Sequence, residues 1–257
     1  MTDSLAVATI IIYIILIQPT VYCLWRHGWP GFLGWFYLQV LCVVRIVGNA
    51  LDLQAGTSAT STSNLKILIL SSIGLSPLLL ATTGILHEAR LARNPSPRLG
   101  RKFEWCVVIK YHFFVSGALG VLIAGIVFLQ SGKHFSTAAT LLKLGAALLV
   151  ICWALVVVWA GLSVITGDQD QTSPAYADGT KLLPGVFVAL PLLLLRLIYG
   201  IVSLLLLLYH PTSAFLSSVA AKACLSVVPE MLIVIGFVFV GIRTRNIPTA
   251  FWSRKRV

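Results

Sequence analysis

The chain has 257 residues, 58% of them hydrophobic and 11% charged, with a mean hydropathy of +0.94. Soluble domains carry about 25% charged residues, so these figures exclude a soluble globule, a disordered chain and a secreted disulfide scaffold. In so apolar a chain the formal charge of +11 reads as basic cytosolic loops, with no nucleic acid as partner.

Continuous apolar runs predict spans at 4–24, 32–53, 65–87, 106–129, 138–165, 183–209 and 222–242. Each is about twice the length a tilted barrel strand needs, so all seven are predicted as helices. The expected breaks are Trp25-Arg26-His27-Gly28-Trp29-Pro30, the polar run 54–64, the Arg/Pro-rich stretch 88–105, residues 131–136, an acidic loop 166–181 and His210-Pro211. The first run is too long for a signal h-region and no A-x-A-like site follows, so it is expected to be retained. Four of the five cysteines (Cys23, Cys42, Cys152, Cys224) lie in or beside apolar runs and read as small packing residues.

With the N-terminus outside, about twelve Lys and Arg fall on the inner side and about four on the outer. The predicted fold is therefore an all-α, polytopic bundle of seven transmembrane helices, N-out and C-in. Residues 1–242 form a single membrane domain and 243–257 a basic cytosolic tail that includes Arg254-Lys255-Arg256. Trp25, Trp29, Trp35, Trp105, Tyr176 and Trp252 are placed in an inner aromatic belt. No N-x-S/T acceptor occurs, Asn94 being followed by proline.

Span two carries V-V-R-I-V-G around Arg45 and span six L-L-R-L-I-Y-G around Arg196, with Pro77 and Pro229 in the spans that follow. This correspondence suggests a 3+1+3 repeat. The fourth span is then the linker, with Ser116, Gly120 and Ala124 as a small-xxx-small packing face.

Ionisable residues at membrane depth cost roughly 2.5–3.5 kcal/mol each at a helix centre, and they mark the candidate site. Arg45, Asn49 and Asp52 share one helix face at i, i+4, i+7. Arg196 has Tyr199 and Ser203 on its face, and Glu230 follows Pro229, which removes a backbone hydrogen bond. Glu230 and Asp52 are the candidate catalytic carboxylates; Arg45, Asn49, Arg196 and Tyr199 the candidate substrate-binding groups. Two alternatives stand for this set: a buried ion-pair network that fixes packing, or a polar pocket that binds or protonates a ligand. Arg196 is expected within salt-bridge reach of Glu230 or Asp52, because an unpaired arginine at that depth is too costly.

Other polar residues read more plainly. His87 and His112 are expected as interfacial side chains, with haem or metal ligation the minor alternative. Lys110-Tyr111-His112 reads as a snorkelling anchor, and Gln18-Pro19 as either cavity lining or a kink. Asp168, Asp170 and Asp178 are read as a solvated connection, with a cation or metal-diphosphate site the minor alternative. No metal site and no cofactor is expected.

R-H-G-W-P-G-F-L-G-W leading into V-V-R-I-V-G, then L-P-L-L-L-L-R-L-I-Y-G and V-P-E-M, resembles a family of uncharacterised seven-helix membrane proteins from filamentous fungi. In architecture alone the chain is similar to fungal membrane-embedded meroterpenoid terpene cyclases. That similarity implies that Glu230 or Asp52 protonates an epoxidised prenyl chain. The paired aspartate-rich motifs of UbiA-like prenyltransferases, a span-seven lysine for retinal, and the D-R-Y and N-P-x-x-Y receptor signatures are absent. Three functions remain open: a terpene cyclase, a seven-helix receptor or sensor, and a small transporter or lipid exporter. The expected partners are an amphiphilic isoprenoid or lipid ligand and the membrane lipids themselves.

Overall fold

In the computed structural model, residues 2–55, 74–94, 100–131, 135–165, 175–210 and 212–247 are described. Helix α1 runs Thr2–Ala55, and only Gly28 inside it leaves helical geometry, with φ 56° and ψ −148°. That backbone region is open essentially to glycine alone. A Cβ at Gly28 would meet nothing within 4 Å, so the requirement is one of backbone and not of space. The broad break expected at 25–30 therefore shrinks to one residue. Pro30 fits immediately after it, since the first turn of a helix needs no N–H.

The two arms of α1 run back along each other. The Gln39 side-chain amide donates to Thr20 Oγ1 at 2.8 Å across them, and Tyr13 and Arg45, nearly equidistant from the bend, reach the same carboxylate. Each arm is about 40 Å long at 1.5 Å per residue, enough to cross a bilayer.

Four further long helices follow: α2, Leu75–Arg93; α3, Arg101–Gln130; α4, Phe135–Ile165; and α5, Tyr176–Tyr209. Two single turns, Ala214–Ser217 and Val219–Lys222, lead through a π-helical segment, Ala223–Val227, into α6, Val228–Arg243. The π segment has a local cause. Pro229 has no N–H for the carbonyl four residues back, and the Val228 N–H bonds instead to Ala223 O, five residues back. Among the described residues, five helical stretches are long and apolar enough to cross a membrane: α1, α3, α4, α5 and residues 219–243.

Helix α2 is the exception in composition and the centre in position. All its residues except Arg90 are buried, and it packs against α1, α5, α3 and α4. The first part of the expected third span lies outside the described residues. Its other end runs past the expected boundary at 87 to Arg93, so Glu88 is a fully buried helical residue and not the start of a loop. The backbones of α1 and α2 touch where Gly34 faces Gly84: a Cβ on Gly84 would sit 2.3 Å from Gly34 N. Small residues permit that approach, and close packing is what holds helices together in lipid.

Four further expectations change. Ser116 and Gly120 are exposed, and a Cβ at Gly120 would meet nothing within 4 Å. The packing face of α3 lies elsewhere: Gly125 receives Leu142 of α4, and Gly145 of α4 receives Leu122. The acidic loop ends earlier than expected, because α5 begins at Tyr176 and Asp178 pairs with Lys181 at 2.8 Å within its first turns. Asp168, Asp170, Trp252 and residues 254–256 lie outside the described residues. Finally, Trp25 and Trp29 are exposed as a belt requires, whereas Trp35 is fully buried. Cys224, expected in packing, is exposed.

Candidate functional site

Glu230 is 1% exposed and stands where the two arms of α1, α5 and α6 meet. Arg45 donates to both of its oxygens, from Nε to Oε1 and from Nη2 to Oε2. The Tyr13 hydroxyl donates to Oε1 at 2.9 Å. Arg196 Nε lies 3.6 Å from Oε2, so the expected salt-bridge reach is met. Charge-assisted and bidentate bonds of this kind are the strong ones in a low-dielectric interior. Two guanidinium groups and one carboxylate make the cluster formally cationic.

Arg196 is also 1% exposed. Its guanidinium lies 5.9 Å from the ring centroid of Tyr199, whose own ring meets Phe215 at 5.8 Å. Gly74 leaves room for Arg45: a Cβ there would lie 2.3 Å from Nη2. Asn49 donates to the Arg45 carbonyl at 2.7 Å, tying its side chain to the helix it sits on. Asp52 joins neither arginine; its nearest cation is Lys222, at 3.9 Å.

Tyr13, Arg45, Asn49, Asp52, Lys222 and Glu230 line a small open cleft of about 20 Å³, room for about one water molecule. Arg196 itself lines a second open cleft, of about 30 Å³, whose wall is otherwise apolar: Leu122, Leu149, Leu197, Ile201 and Leu204 among others. Arg196 thus faces an apolar cleft itself and meets the polar one through its contact with Glu230. All six sequence-designated residues gather here, Arg45, Arg196, Tyr199 and Glu230 in direct contact and Asn49 and Asp52 along the polar wall. Tyr13 and Lys222 went unremarked. A tyrosine in an apolar run has no sequence signal, and Lys222 sits at a span boundary where any lysine passes as a flank. Gln18 is exposed and lines neither cleft.

A second polar centre was not anticipated. His27, Glu88 and Trp35 are all fully buried where the Gly28 bend meets α2 and the end of α6. His27 Nδ1 is 2.5 Å from Glu88 Oε1, and Nε2 donates to the Gly241 carbonyl at 2.9 Å. Trp35 Nε1 donates to Glu88 Oε2 at 3.0 Å.

A third polar region surrounds the end of α2. Arg90 donates to Glu104 at 2.9 Å and to Ser163 Oγ at 2.8 Å, and Arg93 donates to the Ser163 carbonyl at 2.7 Å. His87 and His112 are buried here instead of interfacial. His87 packs edge-on against Trp105, and His112 Nδ1 donates to Val108 O. Tyr111 is buried as well and donates to the Cys152 carbonyl, so only Lys110 of that trio is exposed. Among the described residues no three His, Cys, Asp or Glu side chains converge as metal ligands would.

The fold and these buried charges define a helical, multi-pass membrane protein. The chain belongs to the DUF7702 family, a domain of unknown function, whose model matches residues 1–247. No curated protein and no solved structure matches it.

Proposed function

We propose that this is a seven-span membrane protein, N-out and C-in, that binds an amphiphilic ligand at the Arg45–Glu230–Arg196 cluster. The seven spans are the two arms of α1, α2, α3, α4, α5 and α6 with its π segment. They form one domain, 1–242, before a cytosolic tail. The observation that carries the reading is Arg196: a buried guanidinium in a cationic cluster, which lines an apolar cleft itself and contacts Glu230 on the wall of a polar one. An acidic head group would satisfy the excess positive charge, while the chain attached to it would lie along Leu122, Leu149 and Leu204. Such a ligand belongs to the lipid or isoprenoid class.

Binding is favoured over acid-initiated cyclisation by the crowding at Glu230. Both its oxygens already accept from Arg45, and Tyr13 donates to one of them. Protonating Glu230 would remove the anion that both guanidinium groups face. Asp52, on the polar cleft wall beside Lys222, is the carboxylate with more freedom.

Oleate and oleyl alcohol, added to the purified protein, test the proposal. They share a chain and differ in charge. Oleate should raise the unfolding temperature, the alcohol should not, and Arg196→Met should abolish the difference. Equal effects of the two, or an oleate effect that survives Arg196→Met, would reject it.

A further inference from the structure

The His27–Glu88 centre lies apart from the arginine cluster, about 16 Å along α6 at 1.5 Å per residue, and nothing in the amphiphile reading uses it. Its contacts fix where hydrogens must be. The Gly241 carbonyl only accepts, so His27 Nε2 carries a hydrogen and donates. The indole of Trp35 only donates, so Glu88 Oε2 accepts. What remains is Nδ1 facing Oε1 at 2.5 Å. One hydrogen must lie between them, either as imidazolium donating to carboxylate or as carboxyl donating to neutral imidazole. Take it away and two lone pairs face each other at that distance, with no solvent to separate them.

The chain is shaped to hold this arrangement. A Cβ on Gly31 would lie 2.5 Å from Glu88 Oε2, and one on Gly241 would lie 2.1 Å from the Trp35 ring. The His27 and Trp35 rings pack at 4.7 Å between centroids. The other titratable or charged groups nearby come from α1, where Arg26 adjoins His27 and Cys23 lies one turn back. Arg243 of α6 is directed onto Phe239, at 4.5 Å from its ring centroid.

We infer that His27 and Glu88 form a binding site for a single proton, which clasps the Gly28 bend, α2 and the end of α6 together. The ligand is the proton itself. Both side chains are fully buried, so exchanging it requires the bend to part from α6. Proton loss and loosening of that end of the bundle are one event. Stability from the clasp is present while the proton is held and is lost as rising pH removes it.

Glu88→Gln separates this from a merely structural contact. The amide N–H can donate to Nδ1 while its carbonyl accepts from Trp35, so the three contacts persist with no shared proton to lose between neutral and alkaline pH. The full chain in nanodiscs is unfolded thermally between neutral and alkaline pH. Wild type should lose about 5 °C on the alkaline side, as expected for one charge-assisted bond. Glu88→Gln should hold its neutral-pH value throughout, and Glu88→Ala should be low at every pH. Deuterium exchange at alkaline pH should be faster in wild type than in Glu88→Gln over residues 20–36 and 238–247. Parallel pH profiles for wild type and Glu88→Gln, or a Glu88→Gln as unstable as Glu88→Ala, would overturn the proposal.

Discussion

Replacing the members of the arginine cluster one at a time should expose an order of damage that the geometry dictates. Glu230→Met leaves two buried guanidinium groups facing each other without their common anion. Breaking a buried pair this way costs about 3–5 kcal/mol, and the second cation places Glu230→Met at the top of that range. Arg45→Met removes the bidentate partner but leaves Arg196 Nε 3.6 Å from the carboxylate, which can close up to recover part of the loss. Arg196→Met leaves the Arg45–Glu230 pair intact and formally neutral, so its cost should be the smallest of the three, about 1–2 kcal/mol. At roughly 2–4 °C per kcal/mol for a chain of this size, Glu230→Met should melt on the order of 10 °C or more below wild type and Arg196→Met only a few degrees below. The assay is unfolding of detergent-purified protein followed by size-exclusion of the surviving folded protein. The Arg45→Met/Glu230→Met pair should be less destabilised than the sum of its parts, because removing both ends leaves less charge stranded. A Glu230→Met within 2 °C of wild type, or an Arg196→Met worse than Arg45→Met, would refute the geometry on which the ordering rests.

Two shorter tests address the frame. Gly84→Ala places a methyl 2.3 Å from the Gly34 backbone nitrogen, which no rotamer change relieves, and should lower expression and melting temperature sharply; Gly120→Ala, with nothing within 4 Å, should be neutral or slightly stabilising. Reporters active only in the cytosol should signal when fused after Val257 and stay silent before Met1, and the reverse would invert the proposed topology.

The arginine cluster was legible in the sequence because charge inside an apolar run is conspicuous whatever the fold. Its uncharged partners were legible only on the same helix face as an arginine, as Asn49 and Tyr199 are: Tyr13 contributes a hydroxyl from a run of isoleucines and passes for packing. The His27–Glu88 centre stayed hidden for a different reason. Both residues fall in stretches that hydropathy assigns to connections, and nothing local says that α2 continues a further turn and a half under cover of its neighbours. The same blindness misplaced the packing face of α3. Ser116, Gly120 and Ala124 have the right spacing, yet spacing does not say which face meets a helix and which meets lipid; only Leu122 and Leu142, docking into Gly145 and Gly125, settle that.

The burial of α2 bears on how the protein is made. Its buried surface includes Thr82, Thr83, Glu88 and Arg93, groups that hydrocarbon solvates badly and that hydrogen-bond here within the protein. Such a segment has little reason to leave the translocon alone. The α1 hairpin, synthesised just before it and closed by a one-residue turn, already offers Gly31, Gly34 and His27 as a docking edge. Biogenesis should therefore proceed by handing α2 from the insertion machinery directly onto that hairpin, and a lesion in the hairpin should be read by the cell as a failure to insert the helix that follows it.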